Sequence, residues 1–142
     1  MPDITKQTIS SFLKEVSAIS NRKERIEYLS KNGNNGALKL ILQYMFDPRL
    51  KFILPKGAPP YTPSIVRNPK RLYPEARKLY LFVEGGNPHL KPARREQLFI
   101  DLLEIIDPEE AELLIAVKDK TCPFEGITKK VVQEAFPGLI PT

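Results

Sequence analysis

The side chains in this chain best placed to do chemistry are cations, and they fall into two groupings. Arg49, Lys51, Lys56, Arg67, Lys70, Arg71, Arg77 and Lys78 are interleaved with Phe52, Tyr61 and Tyr73, a mixture that neutralises phosphates while apolar neighbours anchor the backbone. Lys118, Lys120, Lys129 and Lys130 surround the turn Thr121-Cys122-Pro123-Phe124-Glu125-Gly126. A small turn that leads into a helix presents free backbone amides to an anion, and a glycine in it lets the backbone come close. The competing reading of both groupings is an ordinary solvated surface. Either way the chemistry on offer is electrostatic rather than bond-making.

Groups that could make or break bonds lack partners in the sequence. His89 stands without a nearby cysteine or a serine nucleophile in an elbow motif, which favours a surface or capping role. Cys122 lies between Thr121 and Pro123 with no partner base marked, so it reads as structural. One cysteine excludes an internal disulfide, and one cysteine with one histidine leaves no set of ligands for a transition metal. Asp101, Glu104, Asp107, Glu109, Glu110 and Glu112 lie on consecutive expected helices and read as a solvated face with helix caps rather than a divalent-cation site. Gly85-Gly86 is followed by Asn87-Pro88, not by a phosphate-binding helix. Neither an enzymatic activity nor a cofactor is expected.

Helices must position these groups. Ile9, Phe12, Leu13, Val16 and Ile19 recur at helical spacing and predict an amphipathic helix from about residue 5 to 19. Asn21 with Glu24 three positions later starts a second helix, which the turn 32–36 ends because its asparagines and glycines tolerate left-handed backbone. Leu38, Leu40, Ile41, Leu42, Tyr44, Met45 and Phe46 make a third, apolar nearly all round and stopped by Asp47-Pro48. Six prolines between Pro55 and Pro74 then fix extended backbone and remove amide donors, so this stretch is a long loop. Pro74 is suited to open a helix reaching Val83 before Gly85-Gly86, Pro92 opens one carrying Leu98 to Ile106, and Asp107-Pro108 opens one carrying Leu113 to Val117. The last starts near Gly126-Ile127-Thr128. The expected fold class is all-α: about seven helices in one domain over residues 1–142, with a long proline-rich loop and no strand.

The length of 142 residues with 42% apolar content is enough to bury one core and short for two. No apolar run approaches the roughly 20 residues that span a bilayer, and no apolar signal core follows a basic N-terminus. The expectation is a cytoplasmic monomer that does not enter a membrane. The net charge of +5 is unevenly distributed. Residues 47–78 hold 8 basic and 2 acidic side chains, whereas 79–117 hold 3 basic and 8 acidic ones. Such an asymmetry suits one polyanion-facing side and one acidic side.

The stretch from Lys14 through Asn32 and the stretch Leu38-Lys39-Leu40-Ile41-Leu42-Gln43-Tyr44-Met45-Phe46-Asp47-Pro48-Arg49-Leu50-Lys51-Phe52 resemble the N-terminal DNA-binding domain of the ATP-dependent DNA ligases of large tailed phages. The closing stretch is similar too: Lys118-Asp119 before a turn, Gly126, a helix, and Phe136-Pro137-Gly138-Leu139-Ile140-Pro141. In that family the domain is all-helical and grips duplex DNA across the minor groove through phosphates, and a separate domain carries a Lys-x-Asp-Gly nucleophile. This sequence has no Lys-x-Asp-Gly. The resemblance therefore implies a non-catalytic DNA-binding module encoded by a phage and working in the cytoplasm of an infected bacterium. On matching positions, Lys118, Thr121, Gly126, Lys129 and Lys130 would face the DNA backbone, joined by Arg49 and Lys51. Arg67, Lys70 and Arg71 join the expected DNA-binding set from the first basic grouping.

Two functions follow as expectations. One is a binder of double-stranded DNA with little sequence preference, because phosphate contacts carry no sequence information. The other is a protein-interaction module in which the proline-rich loop or the acidic face at 79–117 binds a replication or transcription protein, extended proline segments being ordered before they bind.

Overall fold

Helix after helix in this chain starts on a short side chain that accepts a hydrogen bond from the first turn. Thr8 Oγ1 takes the Ser11 amide at 3.0 Å, Asn21 Oδ1 the Glu24 amide at 3.1 Å, and Asn35 Oδ1 the Leu38 amide at 3.0 Å. Asp107 Oδ1 takes the Glu109 amide at 2.9 Å and Thr128 Oγ1 the Val131 amide at 3.2 Å. Each cap satisfies a donor that the helix itself leaves unpaired. The computed structural model describes residues 8–65 and 72–141. Within them the helices are α1 (Ile9–Ala18), α2 (Arg22–Lys31), α3 (Gly36–Phe46), α4 (Leu72–Glu75), α5 (Pro92–Ile105), α6 (Pro108–Lys118) and α7 (Lys129–Ala135). No strand forms among the described residues, and the fold is all-α.

Two elements differ from the sequence reading. The helix expected to open at Pro74 begins at Leu72, and after Glu75 it tightens into a 3₁₀ segment, Ala76–Phe82. Its buried residues are Ala76, Leu79 and Phe82, and a spacing of three lines up on one side only at three residues per turn. The loop that follows α3 pairs briefly as well. An isolated antiparallel bridge joins Phe52 to Val83, with the Ile53 amide donating to Phe82 O at 2.9 Å and the Glu84 amide to Lys51 O at 2.8 Å.

The buried apolar side chains form one cluster, with Phe12, Phe82 and Phe99 among the largest that are fully enclosed. Each such side chain contributes about 1.5–3 kcal/mol on leaving water. α3 and α6 share the middle: α6 packs on α1, α3 and α5, and α3 packs on α4 and its 3₁₀ continuation, while α7 lies against α2. Buried Arg95 fastens the outer turn. Its guanidinium donates to Leu81 O at 3.1 Å and Leu90 O at 2.9 Å, so one side chain satisfies a carbonyl on each side of the turn at Gly85-Gly86. No helix is long and apolar enough to cross a membrane among the described residues.

Candidate nucleic-acid interface

The two basic groupings, about 70 residues apart in sequence, meet where the C-terminal ends of α3 and α6 lie side by side. There Met45, Phe46, Pro48, Lys51, Phe52, Lys118 and Lys120 line an open depression of about 450 Å³. Apolar side chains and lysines line it together.

Lys120 holds the two ends together. It is the residue after the α6 C-cap and has φ of 58°, the left-handed conformation that glycine usually supplies at this position. The Thr121 amide donates to Ala116 O at 2.9 Å and the Lys120 amide to Val117 O at 3.0 Å, which is the hydrogen-bond pair of a left-handed helix ending. The Lys120 ammonium then donates to Tyr44 O and, at 2.9 Å, to Asp47 O, and sits 5.7 Å from the centre of the Phe52 ring. A cation at the negative end of α3 offsets the strain of its backbone. Burial lowers the Lys120 pKa and the nearby Asp47 carboxylate opposes that effect. Its hydrogen-bond partners are neutral carbonyls, so the ammonium charge is still presented to the depression.

Lys118 does not face outward as expected. Its side chain is 2% exposed, and its ammonium donates to Pro55 O at 2.8 Å and to Asp119 Oδ1. Asp119 in turn accepts the Gly57 amide on both oxygens, at 3.2 and 3.1 Å. The pair pins the proline-rich segment to the end of α6 and cancels its own charge. Arg49 is exposed but engaged: its Nε and Nη2 donate to the two oxygens of Asp47 at 3.1 and 2.9 Å. The arginine holds the buried Asp47 carboxyl below its ordinary range, against the opposing effect of burial. Each of these cations is paired with an acid one or two positions away, and in the Arg49 pair it is Asp47, not the arginine, that is buried.

Gly126 has φ of +85°, and a Cβ built there would stand 2.8 Å from Cζ of Arg25. The positive φ and this internal contact both favour glycine here. Arg25 donates to Gly126 O at 3.3 Å and to Ile19 O at 3.1 and 2.8 Å, tying the turn to the end of α1. Ser17 Oγ donates to Glu125 O at 2.6 Å and secures the same turn. The Thr121 side chain is exposed, with its hydroxyl donating to Ala116 O at 3.3 Å. Lys129 and Lys130 are exposed in the first turn of α7, and neither has an ion-pair partner among the described residues. Lys51 is exposed in the same condition. Arg67, Lys70 and Arg71 lie outside the described residues.

The other candidates do not assemble. His89 is exposed beyond the turn at Gly86, and burial pushes the Cys122 thiol up while its sulfur contacts Phe124 O at 3.6 Å. The acids of α5 and α6 are dispersed, and no group of three or more metal-ligating side chains comes together among the described residues. Glu104 accepts the Thr62 amide at 2.8 Å, and Glu109 pairs with Lys14 at 3.2 Å. Sequence reasoning did not single out Arg25 or Arg95, and it counted Glu110 among the solvated acids, whereas Glu110 is 1% exposed. A lone arginine beside a helix end and a glutamate in a first turn carry no local mark of their distant partners.

No curated protein and no solved structure matches this chain. Residues 12–123 match the model of a family of unknown function, DUF6433, a stretch that holds the depression and ends inside the turn before Gly126. The chain belongs to that family.

Proposed function

We propose that the protein is a non-enzymatic binder of double-stranded DNA that contacts chiefly the phosphate backbone, as an accessory protein of phage DNA metabolism. The observation that carries this reading is the meeting of Lys51 and Lys120 around one depression, with neither in an ion pair with a carboxylate among the described residues. Lys129 and Lys130 add exposed cations beyond the turn. The sequence resemblance to the ligase DNA-binding domain supports the same reading. Lys118 and Arg49 contribute little to it, since each is paired with an acid.

Titration of a fluorescently labelled 20-base-pair duplex tests the proposal. The expected affinity falls by about 100-fold between 50 and 200 mM salt, in line with roughly four neutralised phosphates. Replacing Lys51, Lys129 and Lys130 together by Glu is expected to abolish binding while the thermal midpoint stays close to that of the unsubstituted protein. Binding that persists in the triple variant, or that ignores salt, overturns it.

A second reading, a module for a replication or transcription protein, is favoured by a cleft of about 350 Å³ beneath the segment 54–60. Leu54, Pro55, Pro59 and Pro60 face Phe99 and Ile100 across it, Glu96 stands at its edge, and Ile65 is 96% exposed farther along the same loop. In this reading the triple lysine variant loses nothing, and Ile100→Glu abolishes capture of the protein partner.

A further inference from the structure

Glu110 is 1% exposed, on the first turn of α6, and no part of the DNA-binding reading uses it. Its Oε1 accepts the Ser10 amide of α1 at 3.0 Å, across one hundred residues of chain. Oε2 is enclosed without a hydrogen-bond partner among the described residues. The carboxyl is thus inserted under the N-terminal end of α1, at a seam where α1 and α6 pack together. A buried carboxylate with one unsatisfied oxygen is costly, whereas the neutral acid keeps the Ser10 hydrogen bond without burying a charge.

We infer that Glu110 is a proton-operated latch between α1 and α6, seated when it carries a proton and driving the first turn of α1 away from α6 when it loses it. The opened state returns the carboxylate to water, which is what makes opening favourable to the charged form. Burial raises the carboxyl from 4.5 to about 7, the Ser10 and Ile9 amides and the Thr8 hydroxyl act in the opposite sense without outweighing it, and the neighbouring Asp107 adds to the rise. Lys14 of α1 and Glu109 of α6, at the same seam, are taken up by each other. α3 and α5 also pack on α6, and among the described residues Asp107 is the charged group whose field acts on Glu110. The latch would operate near neutral pH, where few carboxyls change state.

Native-state hydrogen exchange on the full chain, with carboxyl-carbon NMR of Glu110, tests this. The protection factor of the Ser10 amide, taken relative to Leu103 in the core of α5, is expected to fall about 50-fold between pH 5 and pH 8, the change set by a carboxyl titrating about two units or more higher in the closed state than in the open one. In Glu110→Gln, which copies the neutral acid, the ratio is expected to stay flat. The unsubstituted protein alone decides the matter if that variant fails to fold: a Glu110 carboxyl titrating near neutrality with the loss of Ser10 protection on the same curve supports the latch. A carboxyl titrating near 4.5, or protection that ignores pH, overturns it.

Discussion

Gly126 and Arg25 show how one residue's identity is set by another far away in sequence. The glycine has positive φ and faces a guanidinium that leaves no room for a methyl group. Gly126→Ala therefore has both a backbone and a steric penalty, since the Arg25 head is itself fixed by Ile19 O. We expect a loss of about 1–3 kcal/mol in urea unfolding. An unchanged midpoint would mean that the turn at 121–126 adapts freely. Glu110 gives the opposite case, a residue whose replacement stabilises. Because its folded-state carboxyl is raised from 4.5 to about 7, the penalty is absent below 4.5, grows as pH rises and is complete above about 7. It approaches about 3 kcal/mol if the ionised group stays buried. Thermal unfolding should accordingly show Glu110→Gln more stable than the unsubstituted protein at pH 8 and equal to it near pH 4.5.

Among elements, the segment 54–62 is held at both ends by side chains of the helices it crosses. Lys118 and Asp119 take Pro55 O and the Gly57 amide, and Glu104 takes the Thr62 amide. Between those anchors the prolines arch over Phe99 and Ile100 and leave the cleft. Lys118→Met removes the ammonium and strands the Pro55 carbonyl and the Asp119 carboxylate. Breaking one side of a buried pair costs about 3–5 kcal/mol, and the lower end applies here because Asp119 is 15% exposed and can regain water. The same variant should speed exchange of the Gly57 amide while leaving α7 amides unchanged. Equal acceleration everywhere would show that Lys118 supports the whole core and not this segment.

For the molecule as a whole, a count of charges overstates the field available to a polyanion. Residues 47–78 carry a large basic excess in sequence, yet Arg49 is bound to Asp47 and Lys78 to Glu75. The acidic stretch 79–117 is similarly reduced, with Asp107 capping α6, Glu110 buried, Glu104 holding Thr62 and Glu109 paired with Lys14. Of the cations assigned to the proposed interface, Lys51, Lys120, Lys129 and Lys130 are the described ones outside an ion pair. If the proposed DNA binding engages those four, the slope of log affinity against log salt is expected to be about −3 to −4. A slope near −8 would assign further cations, with Arg67, Lys70 and Arg71 the first to test.

The helices and their limits were legible in the sequence because the forces that set them are local. Asn21 and Asp107 cap through amides two or three residues ahead, Asp47-Pro48 stops α3, and the apolar spacing of α1 lies within one turn-repeat. The pairing of Arg49 with Asp47 also spans only two positions, although the sequence reading assigned Arg49 to DNA. The 3₁₀ tightening after Glu75 was not legible, because its buried period of three depends on what Ala76, Leu79 and Phe82 pack against. Nor was the fate of the lysines. Lys118 meets Pro55, Lys120 meets Tyr44, Arg25 meets Gly126 and Glu110 meets Ser10 only when helices distant in the chain come together. Sequence fixes how many charges the protein has and which helices carry them. Tertiary packing decides which of them reach solvent, because a charge at the edge of a core must be matched by whatever carbonyl, amide or acid the fold brings beside it.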